Sequence, residues 1–341
     1  MKIAIHHRPD SFSDRWIEYC KINNIDYRLV NCFDSDIIQQ MDDCDALMWH
    51  WAWWDSKVIH FARQLTLSLE HMGKKVYPDS KTSWHYDDKL GQKYLLEAVN
   101  APLVKTHIFY SKKEALQWAK LTSFPKVFKL RTGAASANVK LVKDYKKAKR
   151  LIHKAFSNGF KKFNRSAYLK DKINLFLENK TSANFWSIIV QIVRVFIPNK
   201  NERISNREKG YIYFQDFIPD NTYDTRITII GNRCLSSRRY TRKNDFRASG
   251  SFLFDYNPKF HDNEVLKIGL NISRALNLQS VVMDFVIDNG QYKLVEVSYC
   301  MPSKVMDEYP GYYNEKLEWQ DNNVNIEYFI IEDFIKSLKQ S

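Results

Sequence analysis

VVMDFVI (residues 281–287) and QYKLVEVS (residues 291–298) read as two apolar strands, each with an acid set inside it. An ionised carboxylate among apolar side chains is costly unless it is paired, so Asp284 and Glu296 need partners. The register of the hairpin decides whether they can cooperate. With Asp288-Asn289-Gly290 as a three-residue loop and Gly290 left-handed, Asp284 opposes Leu294 and Glu296 opposes Val282. The two acids then share a face as diagonal neighbours, about 7–8 Å apart between backbones. A two-residue loop would put them on opposite faces. Two converging carboxylates suit magnesium, which takes oxygen ligands and completes its shell with water and phosphate. Ser298 lies on the Glu296 face, one step further along. For either acid alone, an exposed sheet face is the plain alternative.

Upstream, residues 124–139 (FPKVFKLRTGAASANV) read as a strand ending at Lys129 and a loop of small residues that includes Gly133 and Ser136. Small side chains let backbone N–H groups approach phosphate oxygens, and lysine adds a point charge. The order GxxxxGK[ST] is absent, so this is not a Walker A loop. Residues 213–230 (YFQDFIPDNTYDTRITII) run from an apolar strand into an exposed turn that can present backbone groups to an adenine edge. Asp224 is placed to bind a ribose hydroxyl. Arg226 on the strand, and Arg247 in the following NDFRASGS stretch (residues 244–251), suit bidentate contact with a carboxylate or acyl-phosphate. Ordinary surface ion pairs are the alternative for both arginines.

The first hundred residues alternate strand and helix, which predicts a small parallel α/β unit. It carries no GxGxxG and hence no dinucleotide fingerprint. Residues 49–55 (WHWAWWD) read either as the lining of a pocket for a flat ligand or as a packed seam. Residues 184–196 (NFWSIIVQIVRVF) predict a helix with one narrow polar stripe of Ser187, Gln191 and Arg194. That helix is too short to span a bilayer, and burial in a core is favoured over a place at an interface.

Charge is unevenly spread. Residues 121–210 hold 21 Lys and Arg against 5 Asp and Glu, a balance of +16 within a net charge of +13, so the remainder stands near −3. Such a block attracts nucleotide phosphates, anionic lipid, nucleic acid or acidic glycans, or is simply a solvated basic face. Aromatics do not interleave with it as a stacking platform would, which disfavours nucleic acid. Five scattered cysteines without a CxxC argue against a disulfide framework or zinc site and fit a reduced compartment. No secretory core or membrane-spanning run is found, so the expectation is a cytoplasmic chain, with contact at the inner face of an anionic membrane as an extension.

Taken together and in this order, the pieces resemble the ATP-grasp superfamily over residues 86–303, most closely ligases that add amino acids to a carboxylate, such as those that glutamylate ribosomal protein. The resemblance implies an α/β chain, α+β in its C-terminal part. It would have an N-terminal parallel α/β domain (residues 1–105), a small basic lid (106–210) and a larger antiparallel-sheet domain (211–341). By the same resemblance ATP and Mg²⁺ are the cofactors. Lys89 and Lys129 contact phosphates or adenine, and the loop from Gly133 to Ser136 closes over the phosphates. Gln215, Asp216, Phe217 and Ile218 receive the adenine, Asp224 the ribose, while Arg247 and Ser249 border the triphosphate. Asp284, Glu296 and Ser298 hold the metal, and Arg226 or Arg247 stabilises an oxyanion while an acyl-phosphate meets an amine. Serine stands at 298 and 249 where the family commonly has asparagine, and the phosphate loop is poor in glycine. Residues 309–319 (YPGYYNEKLEW) look like tails of ATP-grasp proteins associated with bacterial surface-polysaccharide synthesis, which implies a uronic acid as carboxylate and an amino acid as amine. An ATP-grasp kinase acting on an alcohol, and a polyanion-binding protein with a vestigial nucleotide site, are the rival readings.

Overall fold

Lys2–His6 (β1), Asp26–Val30 (β2), Ala46–Met48 (β3) and Lys75–Tyr77 (β4) form a parallel sheet in the order β2-β1-β3-β4. Both faces of such a sheet are covered, so its strands read as short apolar runs rather than alternating ones. Ile3 and Ile5 point to one core and Ala4 and Leu47 to another, the second filled by Val58, Ala62, Leu65 and Leu69 of the helix Ser56–His71. The computed structural model describes residues 1–340 except 53–55, 134–137, 163, 164, 166–168, 170–172, 174, 175, 178–181, 198–205, 243 and 244.

Thr106–Phe109 (β5), Lys126–Lys129 (β6), Lys140–Val142 (β7) and Ile212–Asp216 (β8) make an antiparallel sheet in the order β5-β8-β6-β7. One face packs on the helices Lys112–Leu121 and Tyr145–Ala155 through Ala115, Ala119, Ala148, Leu151 and Ile152. Tyr223–Ile230 (β9), Arg233–Tyr240 (β10), Phe254–Asp255 (β11), Ser280–Asp288 (β12), Gln291–Ser298 (β13), Tyr312–Tyr313 (β14) and Trp319–Gln320 (β15) make a larger antiparallel sheet. Its order is β13-β12-β9-β10-β14-β15, with β11 on β10. The helix Asn263–Leu276 lies close against it, since a Cβ added at Gly269 would meet Ile227 Cγ2 at 3.1 Å.

Two compact units result. One comprises Met1–Tyr86, Tyr94–Pro102 and Asp220–Ser341; the other comprises Asp87–Lys93 and Leu103–Pro219. The parallel sheet and the large antiparallel sheet therefore belong to one unit. Ile3, Ile5 and Trp16 share a core with Ile230, Val282, Ile331 and Phe334, and the Trp16 indole donates to the Glu327 carbonyl at 3.1 Å. These bounds differ from the expected 1–105, 106–210 and 211–341. In particular β8, expected with the C-terminal domain, lies between β5 and β6 of the second unit.

Two further expectations are decided by burial. Trp49 and Trp51 are 2% and 1% exposed, in a core with Val30, Ala52, Tyr86 and Tyr299, so the described part of the tryptophan cluster is a packed seam. Residues 53–55 lie outside the described residues. Residues 182–196 do form a helix, but Trp186, Val190, Ile192 and Val193 are exposed. The expected burial of this helix is corrected for these four side chains, which face outward.

Candidate functional site

The hairpin β12–β13 turns on two residues, not three. Asp288 pairs with Gln291, and Asn289 and Gly290 form the turn at φ 49° and 78°, the double left-handed geometry that suits the twist of the flanking strands. Continued unchanged, that register would set Asp284 opposite Val295 and turn Glu296 to the other face. A bulge intervenes. Phe285 faces Leu294 and Asp284 faces Glu296, which leaves Val295 as the extra residue. The loop expectation is corrected, yet the two acids share a face and stand directly opposite rather than diagonal. Ser298, across from Val282, follows on the same face.

Arginines from the neighbouring strands meet these acids. Arg226 stands across from Asp284 in β9 and grips it at two points, Nε to Oδ1 at 2.8 Å and Nη2 to Oδ2 at 3.0 Å. Arg239, across from Asp224, donates from Nη2 to Asp284 Oδ2 at 2.7 Å and from Nε to Asp224 Oδ1 at 3.1 Å. Burial alone would raise the Asp284 carboxyl; Arg226 and Arg239 overcome it and hold the group well below the usual carboxylate range. For Asp224, burial and then the Asp284 charge win over Arg239, and its carboxyl is pushed up. Asp224 is buried within this chain of charges. Sequence reasoning gave Arg239 no role. The signal was the adjacent pair Arg238-Arg239 on a strand, where alternation sends one to each face; Arg238 lies over the rings of Tyr223 and Phe260, 4.3 and 4.2 Å from their centroids. Arg247 binds Asp245, two residues before it, at 2.6 Å, and the Ser249 carbonyl accepts from Arg242 at 3.2 Å.

In the second unit, strand alternation sorts the candidate residues. Val127 and Lys129 of β6 share a face with Tyr213 and Gln215 of β8 and Thr106 of β5. On it Lys129 Nζ donates to Gln215 Oε1 at 2.6 Å, and Gln215 Nε2 donates to Thr106 Oγ1 at 3.2 Å. Lys89 reaches the start of the small-residue loop, with Nζ donating to the Gly133 carbonyl at 2.9 Å. Gly133, at φ 116°, gives its own N–H to Asp87 at 2.7 Å. Lys89 thus meets Gly133, and Lys129 meets Gln215 in a second polar group. Asp216 does not join it through its carboxylate, which points to the other face and is held by Lys126 at 2.7 Å and His107 at 3.0 Å. Burial would raise that carboxyl, but these two partners lower it. Phe217 and Ile218 are half-buried beyond β8, and Ser136 lies outside the described residues.

Solved structures match this architecture over nearly its whole length. A RimK domain ATP-grasp protein from Sphaerobacter thermophilus is 14% identical, covers 98% of this chain and 100% of its own, and superposes with a TM-score of 0.56. The chain has the ATP-grasp fold. The D-alanine–D-alanine ligase of Bacillus anthracis is 15% identical over 100% of this chain and 99% of its own, with a TM-score of 0.56. The ATP-grasp ligase PsnB, solved with a minimal precursor, Mg and ADP, is 12% identical over 99% and 98%, with a TM-score of 0.54. No protein-family model and no curated protein matches the chain.

On this sheet the side-chain oxygens that a cation could use are those of Asp284, Glu296 and Ser298. The Ser298 hydroxyl accepts from the Cys300 N–H and donates to the Cys300 carbonyl, both at 3.1 Å. Among the described residues no group of three or more His, Cys, Asp or Glu could hold a metal. Two opposed carboxylates still fit a hard divalent ion that keeps most of its shell as water and phosphate.

Proposed function

We propose that this chain is an ATP- and Mg²⁺-dependent ligase that joins a carboxylate to an amine through an acyl-phosphate. The observation that carries the reading is the bulged register that sets Asp284 directly opposite Glu296, on a chain with the ATP-grasp fold. Magnesium held by these two acids would neutralise charge between the phosphates. Lys89, Lys129 and the loop at Gly133 are assigned to the nucleotide, with Gln215 and the chain through Phe217 and Ile218 at the base. A substrate carboxylate oxygen attacks the γ-phosphorus and ADP leaves with the bonding pair; the amine then attacks the acyl carbon, phosphate departs and the amine loses a proton. Arg226 uses Nε and Nη2 on Asp284, and its Nη1 is assigned to the acyl oxygen as that oxygen gains charge. Arg239 and Asp224 are positioning residues that hold Asp284 in place, a reassignment of Asp224 from ribose binding.

The finer reading takes the carboxylate from a uronic acid of a glycan precursor and the amine from an amino acid. What supports it is the likeness of residues 309–319 (YPGYYNEKLEW) to tails of ATP-grasp proteins associated with surface-polysaccharide synthesis.

Thermal unfolding with and without an ATP analogue and Mg²⁺ tests the core of the proposal. A ligand bound only by the folded state at about 100 times its Kd adds roughly 2.7 kcal/mol. A Mg²⁺-dependent rise that disappears in Glu296→Gln, followed by ADP release requiring both carboxylate and amine, is the expected result. No shift at saturating nucleotide would overturn it, and a phosphorylated alcohol as stable product would establish the kinase instead.

A further inference from the structure

We propose that the helix Ser182–Phe196 seats this protein on an anionic membrane surface. Trp186, Val190, Val193 and Ile197 are 62%, 46%, 51% and 58% exposed. Their spacing of four, three and four residues puts them in one stripe along the helix, and Ile197 continues the helical pattern by donating its N–H to the Val193 carbonyl at 3.1 Å. At 1.5 Å per residue the stripe is about 16 Å long. A contiguous apolar stripe of this kind marks an interaction surface.

Charge complementarity selects the partner. Residues 161–209 carry 11 Lys and Arg against 4 Asp and Glu. Lys161, Arg207 and Lys209 are exposed, and Arg165 runs alongside the helix with Nη1 donating to the Val195 carbonyl at 2.9 Å. An apolar stripe with Arg165 beside it, in a segment of net positive charge and with tryptophan at one end, fits the headgroup region of a bilayer rich in anionic lipid. A second copy of the chain would bring two such positive blocks together and is disfavoured for that reason. No helix of the described residues is long and apolar enough to cross a membrane, so the helix lies on the surface. This inference does not rest on the ligase reading, and its test contains no nucleotide.

The experiment is flotation of the full chain with vesicles of phosphatidylcholine, with and without phosphatidylglycerol. Binding to the anionic vesicles, little to the neutral ones, and weakening as salt screens the charges is the expected pattern. The double variant Val190→Asp with Val193→Asp should lower the bound fraction by about tenfold or more while circular dichroism and thermal unfolding match the parent. Should that pair fail to fold, Val193→Ala with Ile197→Ala takes its place. No binding to anionic vesicles, equal binding to neutral ones, or binding untouched by the variants would overturn the proposal. So would a dimer in light scattering that the variants abolish, which would assign the stripe to a second copy.

Discussion

Arg239 is wedged between two carboxylates, Asp224 and Asp284, and is itself only 4% exposed. Replacing it with alanine would leave Asp284 held by Arg226 alone and Asp224 without the arginine that bonds it, in a site with little water. Removing one member of a buried charge pair costs about 3–5 kcal/mol because the other stays buried without compensation. Arg239→Ala should therefore lose stability of that order in denaturant unfolding, and Arg239→Lys should recover little, since one ammonium cannot reach two carboxylates as a planar fork does. A loss well under about 1 kcal/mol would mean that the site is wet and the cluster loosely held. Asp224 was read for a ribose hydroxyl and not for an ion pair, whereas Asp284 was legible in the sequence because a carboxylate inside an apolar strand advertises its need for a partner. Arg239 was not, because the letters RR do not say which arginine turns to the polar face. Asp216 was read among the residues that receive adenine, and the side of the sheet its carboxylate takes was not part of that reading.

At the scale of the element, the hairpin shows a strand pattern being legible while its register is not. Apolar runs identified β12 and β13, but the Asn-Gly turn favoured a two-residue loop that by itself separates Asp284 from Glu296. One extra residue, Val295, reverses that outcome, and a bulge carries no letter of its own. Shifting a strand by one residue moves every side chain to the other face. Deleting Val295 should remove the bulge and still leave Glu296 opposite Asp284, because Glu296 then follows Leu294 directly. The variant is expected to fold and to keep Mg²⁺-dependent stabilisation by an ATP analogue, measured by thermal unfolding. If the folded variant lost that stabilisation, setting the two acids opposite each other would not be enough to hold the metal.

The whole molecule departs from the sequence reading where contacts between distant segments decide the outcome. Parallel strands near the N-terminus were legible from their short apolar runs, yet nothing local says that their inner face packs on the last helix of the chain. Likewise the apolar letters of residues 182–196 state that the helix needs covering, and not what covers it. Ile3, Ile5 and Trp16 lie in one core with Ile331 and Phe334 of the helix Ile326–Lys339. Arg15 ties the same two segments by pairing with Glu327 at 3.0 Å. If residues 1–105 formed a domain with a core of its own, a cavity cut into the last helix would leave β1 untouched. With a shared core it does not. Phe334→Ala should cost about 3–5 kcal/mol, the usual range for emptying a buried phenylalanine site. Because β1 opens with the unit that loses stability, its amides at Ile3, Ala4 and Ile5 should exchange faster by hydrogen-exchange mass spectrometry, in step with those of β12. Unchanged protection in β1 beside faster exchange in β12 would show that the two sheets unfold separately and that the N-terminal segment is a domain in its own right.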